Sequence, residues 1–345
     1  MKVVYLLDVI LLMICANSCT SYYYVVTDVS DDMTVSRKVH ADLSEENAVF
    51  PEFASGGRWK GHVRLSDPFV VDFYDETVLM TDVAEIQCDN IDDLKYMSNN
   101  EDAGIAFPEP VETLKKRFRW FYTYYDYTAV FKGIHDRLPL PFDGYLTESQ
   151  RELLFRGGDV PEGWNGVEMY LLLDDLNRRL ASWYSDMVYF VMCDILEPYC
   201  RADQVAFMDA SRKAFMERTD KEVMFAMEPD EFVQRLAEIA PDMGFDDVYG
   251  KNVEAVEKAY GKQAEILDCF ASSFVYALDM PGRYYDGNAA VSGDGMPQWK
   301  VDAYRLLAGD LVLEAVFRKV NIWAFFLMFA LVGMILFVAA KGFSG

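Results

Sequence analysis

An α+β fold is predicted by three features of the sequence: a strand-rich first block, a long helical middle, and a second strand-rich block ahead of an apolar C-terminal run. The expected architecture is an antiparallel sheet built from N- and C-terminal strands, with a large helical insertion between them and one C-terminal transmembrane helix. The boundaries fall at 1–18 for a signal peptide, 19–135 for the N-terminal strand-rich part, 136–270 for the helical insertion, 271–319 for the C-terminal strand-rich part, 320–341 for the transmembrane helix and 342–345 for a cytoplasmic tail.

Residues 1–18 have the parts of an export signal: Lys2 at the start, an apolar stretch over 9–14, and the small residues Ala16 and Ser18. The tetrapeptide Ala16-Asn17-Ser18-Cys19 resembles a bacterial lipobox, in which Cys19 becomes the lipid-modified first residue of the mature chain. Ala16 stands where lipoboxes favour Leu, and Asp8 shortens the apolar core.

Strands are read at 22–26 and 34–40, flanking a polar stretch over 28–32 that predicts a hairpin, and again at 68–74 and 77–86. The run over 118–127, Phe-Arg-Trp-Phe-Tyr-Thr-Tyr-Tyr-Asp-Tyr, is the most aromatic in the chain. Read as one strand, it places aromatic rings on both faces of a sheet. After Pro139-Leu140-Pro141, Thr147-Glu148-Ser149-Gln150 has the form of a capping box. Apolar residues then recur at helical spacing over 167–195, with Leu172, Leu176, Leu180, Trp183, Met187 and Phe190 on one stripe. Further helices are predicted over 202–218, 229–239 and 246–269. Strands return at 273–278, 284–285, 289–292 and 298–304, separated by Pro-Gly and Asp-Gly turn clusters, and 311–317 is a strand or helix leading into the final segment.

Residues 322–340 carry no charge, and about 20 apolar residues are needed for a membrane helix. With the body exported, Arg318 and Lys319 lie outside against Lys341 inside, opposite to the usual charge bias; a large translocated domain overrides that bias. The net charge of −24 repels phosphate backbones and excludes nucleic acid as a partner. It also repels an anionic bilayer, so the body is expected to stand off the membrane except at Arg318-Lys319.

With Cys15 in the signal and Cys19 the lipidation candidate, Cys88, Cys193, Cys200 and Cys269 remain as candidates for disulfides, with three pairings open. On one straight helix Cys193 and Cys200 would stand ~10 Å apart, too far to bridge, although Pro198 can interrupt that helix. Buried free thiols are the alternative. No zinc-ligand spacing occurs, three His make a His-rich metal centre improbable, and no cofactor is expected.

The local signatures of nucleophilic, metallopeptidase and nucleotide-binding sites are missing, and no catalytic residue is assigned. His135-Asp136, His40 and His62 are read as surface or loop residues. Asp174, Asp175, Asp186 and Asp194 offer paired acids for glycoside hydrolysis but fit a solvated helix face better. Asp286-Gly287-Asn288 with Asp294 lacks EF-hand spacing and reads as turns. Trp120, Tyr122 and Tyr124 are candidate ligand-binding residues in an apolar groove for an acyl chain, against the plainer reading that the aromatic strand is sheet core where the helical insertion packs.

Met280-Pro281-Gly282 followed by Asn288, Gly293, Trp299 and a membrane helix resembles the C-terminal hairpin of bacterial, Bacteroidota-like envelope lipoproteins of no assigned activity, as does the aromatic segment. The resemblance implies location and architecture: a lipoprotein of the inner membrane, lipid-anchored at its N-terminus, with its body in the periplasm. The function expected is non-catalytic, binding or organising another envelope component, with membrane lipid and an envelope protein as partners. The alternatives are a periplasmic carrier of lipid or another amphiphile, and an envelope hydrolase using paired carboxylates.

Overall fold

The computed structural model describes residues 21–44, 51, 54, 59–73, 77–93, 109–151, 166–220, 223–224, 227–291 and 295–342. Cys15, Cys19 and the signal segment lie outside them, as do the end of the short helix opened by Thr147, Gly293 and Asp294.

The first block supplies β1 (Ser21–Val29), β2 (Val35–Ala41), β3 (Lys60–Asp72), β4 (Thr77–Cys88), β5 (Val111–Arg119) and β6 (Tyr122–Phe131). The helical block supplies α1 (Gly166–Leu196), α2 (Ala202–Arg218), α3 (Pro229–Ile239) and α4 (Phe245–Asp268). The last block supplies β7 (Ser272–Asp279), β8 (Arg283–Gly287), β9 (Ala290–Val291), β10 (Pro297–Asp302), β11 (Leu311–Val320) and the terminal helix α5 (Ile322–Gly342). The α+β class and the strand, helix, strand order are therefore as expected, and Thr147 with Gln150 forms the reciprocal capping box read from the sequence.

The strands form two sheets rather than one. A seven-stranded sheet has the order β3-β4-β2-β1-β7-β10-β9, and a four-stranded sheet the order β5-β6-β11-β8. Pairing is antiparallel except at β1 and β7, which run parallel from Ser21 opposite Ser272 to Asp28 opposite Asp279. The split follows from β6, where alternate residues Tyr125, Tyr127, Ala129 and Phe131 are buried while the residues between them are not. A strand of that pattern needs a core on one face only, and it finds one in the larger sheet, where Phe131 meets Tyr276 with ring centroids 5.3 Å apart. The aromatic run is also not one strand. Trp120 and Phe121 form a two-residue turn and Arg119 lies opposite Tyr122, so residues 118–127 are the tip of the β5–β6 hairpin.

A buried ion pair crosses between the sheets. Arg37 of β2, fully buried, reaches Glu112 of β5 through Nη2 at 2.5 Å and Thr27 through Nε at 3.0 Å, while the Tyr127 hydroxyl donates to the same Glu112 oxygen at 2.5 Å. A carboxylate that accepts from a guanidinium and a phenol is well solvated by the protein, which offsets part of the cost of burying the charges.

A second link sits at the chain's crossing from one sheet to the other. Asn288, just after β8, accepts at Oδ1 from Trp299 Nε1 of β10 at 2.8 Å and from Glu314 N of β11 at 2.9 Å, and donates from Nδ2 to Val312 O at 2.7 Å. Gly282, at φ 108°, starts β8 so close to β11 that a Cβ there would stand 2.5 Å from Arg318 O. The Pro-Gly, Asn and Trp positions read as a motif thus hold β8, β10 and β11 together.

Helix α1 is the axis of the helical block. Leu176, Leu180, Trp183 and Met187 of the predicted stripe are buried, and Tyr184, Val188, Tyr189, Val191 and Met192 widen it. Tyr189 donates to Met208 O of α2 at 2.6 Å and its ring meets Phe215 of α2 and Phe232 of α3. The block joins the sheets through aromatic contacts away from the β5–β6 tip: Trp183 packs on Phe142 and Phe270, and Phe270 on Tyr304.

Of the candidate disulfide cysteines, Cys193 and Cys200 are not bonded to each other and carry free thiols, and Cys88 and Cys269 are buried. Helix α1 carries Cys193 to Leu196, and the turn Glu197–Tyr199 containing Pro198 follows on without folding Cys200 back into bonding position. Burial pushes the Cys193 thiol up to about 12, so it behaves as a small apolar residue.

Two outcomes are expected. Glu112→Ala removes the carboxylate that pairs with the buried Arg37 and costs about 3–5 kcal/mol in denaturant unfolding, whereas the double replacement Arg37→Met with Glu112→Leu costs far less. His40, packed between the rings of Tyr24 and Phe69, has its pKa lowered to about 4 by burial and by Lys38. The unfolded chain then binds the additional proton between pH 6.5 and about 4, so stability falls as pH drops through that window. Melting scans of the parent and of His40→Gln should show the smaller pH slope in the variant.

Candidate functional site

Strand β11 runs into α5 through a single residue, Asn321, with no linker. Its side chain is used on the neighbouring hairpin: Nδ2 donates to Trp120 O at 3.1 Å and Oδ1 accepts from Thr123 Oγ1 at 3.0 Å, while its backbone N–H donates to Phe121 O at 2.8 Å. The β5–β6 tip is thereby fixed to the head of α5. Rings close the joint, with Phe118 stacked on Trp323 at 6.1 Å, Trp120 edge-on to Trp323 at 5.8 Å, and Phe121 against Phe325 at 4.7 Å.

Below the joint α5 is largely exposed. Its window Ile322–Ala339 is long and apolar enough to cross a membrane, and only 6% of it is buried. At ~1.5 Å per residue the helix is ~32 Å long, against a hydrocarbon thickness of ~30 Å. Phe326, Phe329, Ile335 and Phe337 are more than 60% exposed, which separates this helix from the buried α1.

On the outward face of the smaller sheet, cations and aromatic rings interleave. The Arg318 guanidinium lies 4.8 Å from the Tyr122 ring centre and 4.5 Å from that of Tyr285, and Arg117 lies 5.5 Å from that of Tyr124. Arg117 also pairs through two nitrogens with Asp126. At the β1–β2 turn, Asp31 takes Lys319 on its carboxylate and Lys116 on its carbonyl, and accepts from the Tyr125 hydroxyl at 3.1 Å. The Lys319 hydrogen bond holds the Asp31 carboxyl below the usual range; burial, then Asp31, pushes the Tyr125 phenol up to about 12.

Of the predicted ligand residues, Trp120 is half-exposed in the turn, and Tyr122 and Tyr124 lie on the outward face. They do not line a groove against the helical block, because a period of two sends Tyr125 and Tyr127 inward and leaves their neighbours outside. They do come together with residues the sequence reading missed: Arg117, Arg119, Arg283 and Tyr285. A signal for part of that set was present, since Lys115, Arg117 and Arg119 alternate along β5 and so share a face.

The acids of the helical block are engaged separately. Asp175 is held below the usual carboxylate range by Arg179, with Arg178 and Gln150 assisting. Asp186 accepts from Tyr145 at 2.6 Å and pairs with Arg212 at 2.6 Å, while Asp194 is raised by burial and by Glu197. His135 and Asp136 pair with each other in solvent, and Asp286 accepts from Gly287 N but lies in β8 opposite Val316 rather than in the turn expected. Among the described residues, no group of three or more His, Cys, Asp and Glu side chains is placed to hold a metal ion.

No protein-family model, no curated protein and no solved structure matches the chain.

Replacing Asn321 by Ala removes both side-chain hydrogen bonds and leaves the buried Thr123 hydroxyl without its acceptor. Exchange of the amides at 119–123 should become about 5- to 30-fold faster, as expected for a local loss of about 1–2 kcal/mol, with helical content unchanged by circular dichroism.

Proposed function

We propose that this chain is a membrane-anchored protein of the bacterial envelope, with a non-catalytic role in binding or organising another envelope component, and that its body is held in one orientation on the bilayer surface. The observation that carries this reading is the Asn321 joint. A span joined to its domain by a flexible linker leaves the domain free to tumble, whereas here the helix head, the β11 end and the β5–β6 tip form one hydrogen-bonded unit. Trp120, Phe118 and Trp323 then sit at the depth where aromatic rings favour a membrane interface.

In this reading α5 crosses the inner membrane and the body faces the periplasm, with Cys19 as a second, lipid attachment. Two anchors confine the body to a thin layer, which raises its effective concentration against a partner in the same layer. The net charge of −24 keeps most of the body's surface off an anionic bilayer and turned toward the periplasmic partner.

Alkaline carbonate extraction of membranes tests the anchor. The full chain should stay in the pellet, and Leu331→Asp with Met334→Asp, each adding about 2.5–3.5 kcal/mol to the cost of the span, should move it to the supernatant. Protease added to spheroplasts should digest the body of the parent chain. Release of the parent chain by carbonate, or a body protected from protease, would overturn the reading.

A further inference from the structure

We propose that the outward face of β5, β6, β11 and β8, beside the head of α5, is a binding surface for the headgroups of anionic phospholipids in the bilayer that α5 enters. The inference rests on α5 being a membrane span and adds the lipid class that its surroundings select.

Cross-strand register sets the geometry. Arg117, Tyr124, Arg318 and Arg283 lie side by side across the four strands, and Arg119 and Tyr122 form the next row toward the helix, with Val320. Arg318 is three residues from Asn321, so its row stands ~10 Å along the strand from the helix head at ~3.3 Å per residue. The interfacial layer of a bilayer is roughly 5–7 Å deep on each side, and an extended arginine covers the remaining distance.

The charges in these rows are unbalanced. Arg318 and Arg283 are directly opposite one another, an arrangement that destabilises a sheet when both partners are like-charged. Among the described residues neither they nor Arg119 has a carboxylate within ion-pair distance, although the chain as a whole carries −24. Asp126 is occupied by Arg117, and Asp31 by Lys319. An anion placed between Arg283 and Arg318 removes their repulsion. The Tyr122 and Tyr285 rings fix the Arg318 guanidinium, so little side-chain freedom is lost when it forms a bidentate contact with a phosphate.

The test uses the full chain reconstituted in phosphatidylcholine vesicles containing trace spin-labelled lipid, either phosphatidylglycerol or phosphatidylcholine. The motionally restricted fraction gives the association of each lipid with the protein. Phosphatidylglycerol is expected to associate about five-fold or more above phosphatidylcholine at low salt, and the preference should shrink in about 0.5 M salt. Arg119→Gln with Arg283→Gln, which leaves the ring-held Arg318 in place, should reduce the preference. Adding Arg318→Gln should bring it close to one, and Arg318→Lys, which keeps the charge but cannot make the bidentate contact, should lower it part of the way. Restricted phosphatidylcholine with no preference for phosphatidylglycerol, or a preference unchanged in the arginine variants, would overturn the headgroup surface while leaving the span intact. An absence of restricted lipid of either kind would instead remove the span, and this proposal with it.

Discussion

The pairing of β1 with β7 is the constraint on which the rest of the molecule depends. Parallel neighbours cannot be joined by a tight turn, so the chain lays down four strands of the larger sheet, the β5–β6 hairpin and the helical block before β7 arrives to pair with Ser21–Val29. Once β7 is in place, β10 adds on its other side, β8 and β11 pair in the smaller sheet, and α5 leaves from the end of β11. The apolar helix takes its position from β11, which pairs with the distant β6 and with β8 in the smaller sheet.

Electrostatics works at two levels. Inside, the Arg37 and Glu112 charges are paired between the sheets, where an apolar pair of similar volume would serve stability about as well, whereas removing one charge alone is costly. Outside, cations gather on the sheet edge beside α5 while the body as a whole is acidic. A charge distribution of that kind orients a protein on a surface as well as attracting it.

The sequence showed much of the architecture. Helices at 202–218 and 229–239 have the predicted bounds, and the long apolar stripe is the face that α1 buries. It showed less of the site. Arg318-Lys319 was recognisable as a basic flank of the terminal segment, but Arg283 could be placed opposite Arg318 only through register, which depends on the β8 bulge and on the close approach of Gly282 to β11. The aromatic run was visible as composition, while its reversal at Trp120-Phe121 was not. Neither residue is a customary turn former, and both are held in the turn by rings of α5 and by Asn321.

By itself, then, the sequence determined the order of the secondary-structure blocks and the presence of an exposed-grade apolar helix at the end, because both follow from local periodicity and composition. Only the tertiary structure decided that there are two sheets rather than one, that Cys193 and Cys200 do not bridge, and that tyrosines and arginines from four strands share one face beside that helix. The physical reason is that strand partners and side-chain faces are chosen by long-range burial and hydrogen bonding, and those terms exist only after distant segments have met.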